Sequence, residues 1–84
     1  MSTESHFSGL TIEIVVVIDK QTRRQLDFHT DRVTGEEIKN RAGVPLADDL
    51  AIRHDGKLEL VTNNDPITIV NHEHFFVFPP GTIS

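Results

Sequence analysis

The sequence of 84 residues contains five histidines, the side chains here best suited to bind a transition metal. His72 and His74 are two positions apart in an apparent strand, so their imidazoles would share one face of a sheet. Neutral imidazoles on one face can bind zinc or nickel. A complete site needs further ligands, but Glu73 would point to the opposite face and His29 has no evident place beside the pair. We therefore interpret the histidines as exposed side chains, and expect neither a metal site nor a cofactor.

Two acid–histidine pairs have residue types suited to general acid–base catalysis: Asp27 with His29, and His54 with Asp55. Neither pair has an evident nucleophile beside it, and the sequence contains no cysteine, which excludes a thiol nucleophile and a disulfide. Both pairs fall on predicted hairpins, and so small a domain rarely encloses a substrate pocket. We predict that the protein is not an enzyme.

The composition narrows the class of protein further. Eight basic residues against 13 acidic ones give a net charge of −5, which disfavours binding to nucleic acid. No apolar stretch approaches the roughly 20 residues of a membrane span. Residues 1–9 lack the basic start and apolar centre of a secretion signal, and we expect them to be a flexible tail. These properties favour a small cytoplasmic binding or carrier protein.

Two segments carry the clearest strand patterns. Apolar, mostly β-branched residues alternate with other residues from Leu10 to Asp19, which predicts a strand. Its second face is also apolar at Val15 and Val17, as is typical of a central strand. The last strand is predicted over Glu73–Phe78, and a hairpin partner of the first strand over residues 24–29.

One helix is predicted between these strands. The sequence Thr34-Gly35-Glu36-Glu37 is a capping-box pattern, so we expect a helix from Gly35 to Ala42 with Gly43 as a left-handed cap. Ile38, Ala42 and Val33 would face the sheet.

The region after the helix predicts a second hairpin. Residues 50–53 and 58–60 form its strands around an Asp-Gly turn, and residues 67–70 form either a single helical turn or an extended plug. The resulting order of elements favours an α+β fold of the β-grasp type. Its mixed sheet of four to five strands has one helix on one face, and the first and last strands pair parallel at the centre.

The segment VTGEEIKNRAGVP, residues 33–45, together with the hairpins and the phenylalanine-rich last strand, resembles bacterial ubiquitin-like domains of the multiubiquitin type. The resemblance covers about residues 10–81. It implies a protein modifier whose partners are a ubiquitin-activating-like enzyme, a ubiquitin-conjugating-like enzyme and a metal-dependent peptidase of the deubiquitinating type. Some such systems act in antiphage defence. Modifiers of this kind are joined to a target protein through their C-terminus.

The C-terminal segment would carry that link. With residues 10–80 as the ubiquitin-like domain and 81–84 as a tail, the resemblance implies that cleavage between Gly81 and Thr82 exposes a glycine carboxylate. A terminal glycine suits a tail that threads into a narrow enzyme cleft, because it has no side chain to clash. The alternative is that Pro79-Pro80-Gly81 only ends the last strand.

A single helix can cover only one side of the sheet, so large apolar side chains must remain on the other side. In the last strand Phe75 and Val77 face one way and Phe76 and Phe78 the other, and the pattern leaves open which pair points inward. An exposed apolar patch usually marks a partner surface. The candidate partner-binding residues are Val15, Val17, Phe75, Phe76, Val77 and Phe78.

Two other functions fit the same fold. A noncovalent binding or adaptor module would keep residues 82–84 and need no processing. A sulfur carrier would convert a terminal glycine into a thiocarboxylate, but such proteins end in Gly-Gly, which this sequence lacks. The state of the C-terminus distinguishes the three functions.

Overall fold

The computed structural model describes residues 11–81, and these form a mixed β-sheet with a single helix against one face. In chain order the elements are β1 (Ile12–Val17), β2 (Arg23–Phe28), β3 (Arg32–Thr34), α1 (Gly35–Ala42), β4 (Asp49–His54), β5 (Lys57–Val61), β6 (Pro66–Thr68) and β7 (Glu73–Phe78). Five strands form the main sheet in the order β2-β1-β7-β4-β5, and β3 pairs with β6 in a separate two-stranded sheet. This is an α+β fold with the β-grasp arrangement, as the sequence predicted.

The two most apolar strands lie at the centre of the main sheet. β1 pairs parallel with β7, from Ile14 opposite Glu73 to Val17 opposite Phe76. β2 runs antiparallel to β1, and β4 runs antiparallel to β7. The central position explains why both strands are apolar on both faces, since neither has an edge exposed to water. The predicted parallel pairing of the first and last strands is confirmed.

The helix has the predicted boundaries and caps. The Glu37 amide donates to the Thr34 hydroxyl at 3.2 Å, and the Thr34 amide donates to the Glu37 carboxylate at 2.9 Å, which completes the capping box. Gly43 ends the helix in the left-handed region with φ of 75°. Gly35 has a different role: a Cβ there would collide with the carbonyl oxygen of Thr62, which accepts from the Gly35 amide at 3.1 Å.

The core lies between α1 and the side of the main sheet that we call the core face. The largest fully buried side chains are Phe75, Ile14, Ile38, Leu50, Ile69, Val16 and Val33. Ile38, Ala42 and Val33 are buried as predicted. Among residues 11–81 no helix is long and apolar enough to cross a bilayer.

The sequence did not predict the small sheet. Val33 in β3 lies opposite Ile67 in β6, so Ile67 and Thr68 are in a strand rather than a helical turn, and Ile69 is buried in the core just after it. Three-residue strands are too short to show an alternating pattern. The first strand begins at Ile12, while Leu10 lies outside the described residues.

Candidate functional site

The side of the main sheet opposite the helix, which we call the open face, is crossed by one continuous row of side chains. Val17 lies opposite Arg23 on one side and Phe76 on the other. Phe76 lies opposite Ala51, and Ala51 lies opposite Leu60. Directly opposed residues share a face, so this row runs through all five strands and is apolar except at Arg23. The register thus gathers four apolar side chains that are far apart in sequence.

The most exposed apolar residues of the open face are on β5. Leu58 and Leu60 are 43% and 48% exposed, whereas Ala51 beside them is fully buried. Sequence analysis did not include these leucines in the candidate surface. The alternation Leu58-Glu59-Leu60 indicates that the two leucines share one face of β5. It does not show that α1 lies on the other face, with Glu59, and therefore leaves the leucines uncovered.

Arg53 adds a positive charge to the open face. It lies opposite Leu58 in the β4–β5 ladder, and its guanidinium carbon is 5.0 Å from the centre of the Phe76 ring. A cation over an aromatic ring is attracted by the negative face of the ring. The centre of the open face is therefore apolar with one fixed cation above it.

The structure divides the candidate residues of the last strand between the two faces. Phe75 is completely buried in the core and Val77 packs against the core from the same side, so neither belongs to an exposed partner surface. Phe76 and Phe78 lie on the open face and are half-buried. The sequence could not make this choice, because four consecutive apolar residues show no polar alternation.

Val15 and Val17 lie on the open face as predicted. Val15 faces Gln25 in β2 and His74 in β7, and both valines are half-buried. The corrected candidate surface is apolar, lies on β1, β7 and β5 around the buried Ala51 of β4, and consists of Val15, Val17, Leu58, Leu60, Phe76 and Phe78.

The C-terminal segment leaves the sheet beside this surface. Phe78 lies opposite Asp49, and the Gly81 amide donates to the Asp49 carboxylate at 3.2 Å. Gly81 has φ of 83° and is exposed. Because that backbone conformation favours glycine, the turn itself is a structural reason for glycine at this position. Thr82, the other predicted processing residue, lies outside the described residues.

The two histidines near the last strand do not share a strand face. β7 begins at Glu73, and His72 precedes it with a left-handed φ of 68° and an imidazole Nδ1 3.4 Å from Glu13. His74 lies on the open face opposite Val15. In the part of the chain that the structure describes, no group of three potential ligands is arranged to hold a metal ion.

His54 takes part in a charge cluster that the sequence did not predict. Its Nδ1 is 3.1 Å from Glu59 and its Nε2 is 3.3 Å from Glu73, while Asp55 lies in the hairpin turn. The hydrogen bond with Glu59 raises the pKa of His54, and Glu73 acts in the same direction. A neutral imidazole has one N–H, so only the protonated ring can donate to both carboxylates. This cluster ties the β4–β5 hairpin to β7.

The burial and hydrogen bonding of Lys39 are a second feature that the sequence did not predict. Lys39 is only 4% exposed, and its ammonium donates to the Leu46 carbonyl at 3.1 Å and to the Asn63 side chain at 2.8 Å. A cavity of about 290 Å³ lies beside it, between α1 and the ends of β4 and β5. The hydrogen bonds join α1 to the loops after the helix and after β5, which is a structural role.

Comparisons with protein-family models, with curated proteins and with solved structures found no match to the chain.

Proposed function

We propose that the protein is a ubiquitin-like modifier that is recognised through its open face and joined to other proteins through Gly81. The observation that carries the proposal is the position of the tail: it continues directly from Phe78, which belongs to the open face, and reaches Gly81 three residues later. An enzyme bound to that face would therefore have the tail within reach.

The chemistry would reside in partner enzymes. A metal-dependent peptidase of the deubiquitinating type would hydrolyse the bond between Gly81 and Thr82, with water supplying the carboxylate oxygen and the Thr82 amine leaving. A ubiquitin-activating-like enzyme would join that carboxylate to the α-phosphate of ATP, which forms an acyl adenylate and releases pyrophosphate. With a ubiquitin-conjugating-like enzyme, the acyl group would then pass to a target amine, which forms an amide bond and releases AMP and the amine proton. The resemblance to multiubiquitin-type domains supports this sequence of steps, in the cytoplasm and in a defence context.

Conjugation in cells that carry the native gene neighbours tests the proposal. Gly81→Glu should abolish adducts, because the side chain would block entry of the tail into a narrow cleft. Gly56→Ala is a matched control, since Gly56 is also exposed with a positive φ but lies in the β4–β5 turn. Adducts at the wild-type level with Gly81→Glu would exclude this linkage.

A noncovalent binding module is the second candidate function. The observation that favours it is the hydrogen bond from the Gly81 amide to Asp49, which folds the tail back against β4 instead of extending it. Such a module would use the same open face, and Gly81→Glu would leave its binding unchanged.

A further inference from the structure

His54 lies between two carboxylates that differ in their access to water. The side chain of Glu59 is 63% exposed, whereas that of Glu73 is only 12% exposed. Glu73 is also held in place, because one of its oxygens accepts from the Val70 amide at 3.2 Å while the other lies 3.3 Å from the His54 Nε2. The Glu59 carboxylate has only the His54 Nδ1 as a partner within residues 11–81. The ring therefore joins one anchored carboxylate to one that can rotate into water.

The remaining charged groups around the ring do not contact it. Lys57 lies opposite His54 in the β4–β5 ladder, Asp55 follows it in the hairpin turn, and both are exposed. Arg53 and His74 lie on the open face, on the other side of the sheet. The β1 residue beside the cluster is a fully buried isoleucine. In the described part of the chain, the protonation of His54 is thus sensed by the two carboxylates that it contacts.

Loss of one proton forces the ring to choose between these carboxylates. The imidazolium donates through both nitrogens, whereas the neutral ring has one N–H and a lone pair on the other nitrogen. A lone pair facing a carboxylate is repulsive, so one contact must open. Opening the contact with Glu73 would leave a largely buried carboxylate without this donor, which is costly. Glu59 gains hydration when it rotates away, so the neutral ring keeps its proton on Nε2, toward Glu73.

The contact with Glu59 matters most for β5. This outer strand has only β4 as a neighbour in the described sheet, and four of its five residues are exposed. Within residues 11–81 the hydrogen bond between His54 and Glu59 is the one side-chain hydrogen bond that β5 makes. The strand also carries Leu58 and Leu60, the most exposed apolar residues of the open face. Release of Glu59 therefore loosens the strand that presents these leucines.

We propose that His54 is a proton-operated clamp on β5: the imidazolium ties Glu59 to Glu73, and loss of the Nδ1 proton to water releases Glu59 while Nε2–H stays on Glu73. The hydrogen bond with Glu59 raises the pKa of His54 above its ordinary value of 6.5, so the clamp is closed below pH 6.5 and opens as the pH rises through the raised pKa. The clamp goes beyond the proposed function, because it belongs to the chain alone and needs neither a partner nor Gly81.

The tautomer of the neutral ring is the first test. Proton–nitrogen NMR correlations of the full chain, labelled with nitrogen-15, report which ring nitrogen of His54 carries a proton. Both nitrogens should be protonated at about pH 5.5, and Nε2 alone at about pH 8.5. A neutral ring with its proton on Nδ1, or an equal mixture of the two tautomers, overturns the proposal.

Two matched variants show whether the carboxylates direct the ring. Glu73→Gln removes the charge of the anchored carboxylate and keeps its size. Glu59 is then the stronger acceptor, so the neutral ring should carry its proton on Nδ1. Glu59→Gln should leave the proton on Nε2. The same tautomer in both variants would show that neither carboxylate selects it, which overturns the proposal.

Hydrogen exchange measures the release of β5. The protection of the β5 amides that bond to β4, corrected for the intrinsic pH dependence of exchange, should fall roughly three- to tenfold between about pH 5.5 and about pH 8.5. The protection of β2, the other outer strand, should fall less. In Glu59→Gln the extra fall in β5 should disappear, and this variant should fold because Glu59 is mostly exposed. Unchanged protection of β5, or equal changes in β2 and β5, contradicts a local clamp.

Discussion

The guanidinium carbon of Arg53 lies 5.0 Å from the centre of the Phe76 ring, on the side of the sheet that the helix leaves uncovered. Phe76 occupies the middle of the row that crosses all five strands. A cation–π contact at an exposed site contributes about 0.5–1 kcal/mol. Its larger consequence is chemical, because it fixes a positive charge beside an apolar surface and so restricts the partners that fit there.

The first prediction concerns that surface. Val17→Asp places a charge in the middle of the apolar row, so affinity for the proposed partner, a ubiquitin-activating-like enzyme, should fall at least about tenfold. Val17 is half-buried on the side away from the core, so the variant should still fold. Calorimetric titration measures the affinity, and circular dichroism verifies folding.

Gln25→Asp is the matched control for this variant. It adds the same charge to the open face, at an exposed position opposite Val15 on the polar edge strand. If the two variants bind with the same affinity as the unmodified chain, the open face is not the recognition surface.

The second prediction is a pH dependence from His54. Its pKa is raised above the ordinary value of 6.5, chiefly by the hydrogen bond with Glu59. The folded state thus holds this proton more tightly than the unfolded state. The resulting stabilisation is complete below pH 6.5 and is lost as the pH rises through the raised pKa.

Thermal unfolding from about pH 5.5 to about pH 8.5 measures this contribution. The advantage in Tm of the wild-type chain over His54→Gln should shrink across that range. Titration by NMR should show the pKa of His54 falling toward its ordinary value in Glu59→Gln. A His54 pKa at or below 6.5 in the intact chain would contradict the cluster.

The third prediction concerns the start of the helix. Gly35→Ala would force its Cβ against the Thr62 carbonyl, so the free energy of unfolding should fall by about 2 kcal/mol. For a domain of this size that loss lowers Tm by roughly 10 °C. Glu36→Ala, at the next and exposed position, should have a much smaller effect. Equal Tm values for the two variants would disprove the close approach.

The fourth prediction concerns the tail. Asp49→Ala removes the carboxylate that accepts from the Gly81 amide, so hydrogen exchange at Gly81 should rise roughly three- to tenfold. Asp49→Asn retains an acceptor oxygen and should raise the exchange rate of the Gly81 amide less. An unchanged rate in Asp49→Ala would show that this hydrogen bond does not hold the tail.

The sequence predicted most of the fold because several signals are local. The capping box at Thr34 and the left-handed Gly43 fixed both ends of the helix, and alternation identified β1. The parallel pairing of β1 with β7 followed from their apolar character on both faces, since such strands require neighbours on both sides.

The candidate site was less predictable because it depends on register. Phe75 and Phe76 are chemically identical, and only packing against α1 decides which is buried. Leu58 and Leu60 became part of the surface through their pairing with Arg53 and Ala51. The contact of His54 with Glu73 joins residues 19 positions apart, and no local pattern encodes it.

The central claim is that Gly81 becomes a reactive C-terminus. The most direct test is the intact mass of the protein purified from cells that carry its native gene neighbours, with peptide mapping of any larger species. The modifier function predicts loss of residues 82–84, or adducts in which Gly81 is bonded to an amine of another protein. An intact bond between Gly81 and Thr82 in every molecule, without adducts, would contradict it and leave the noncovalent binding module.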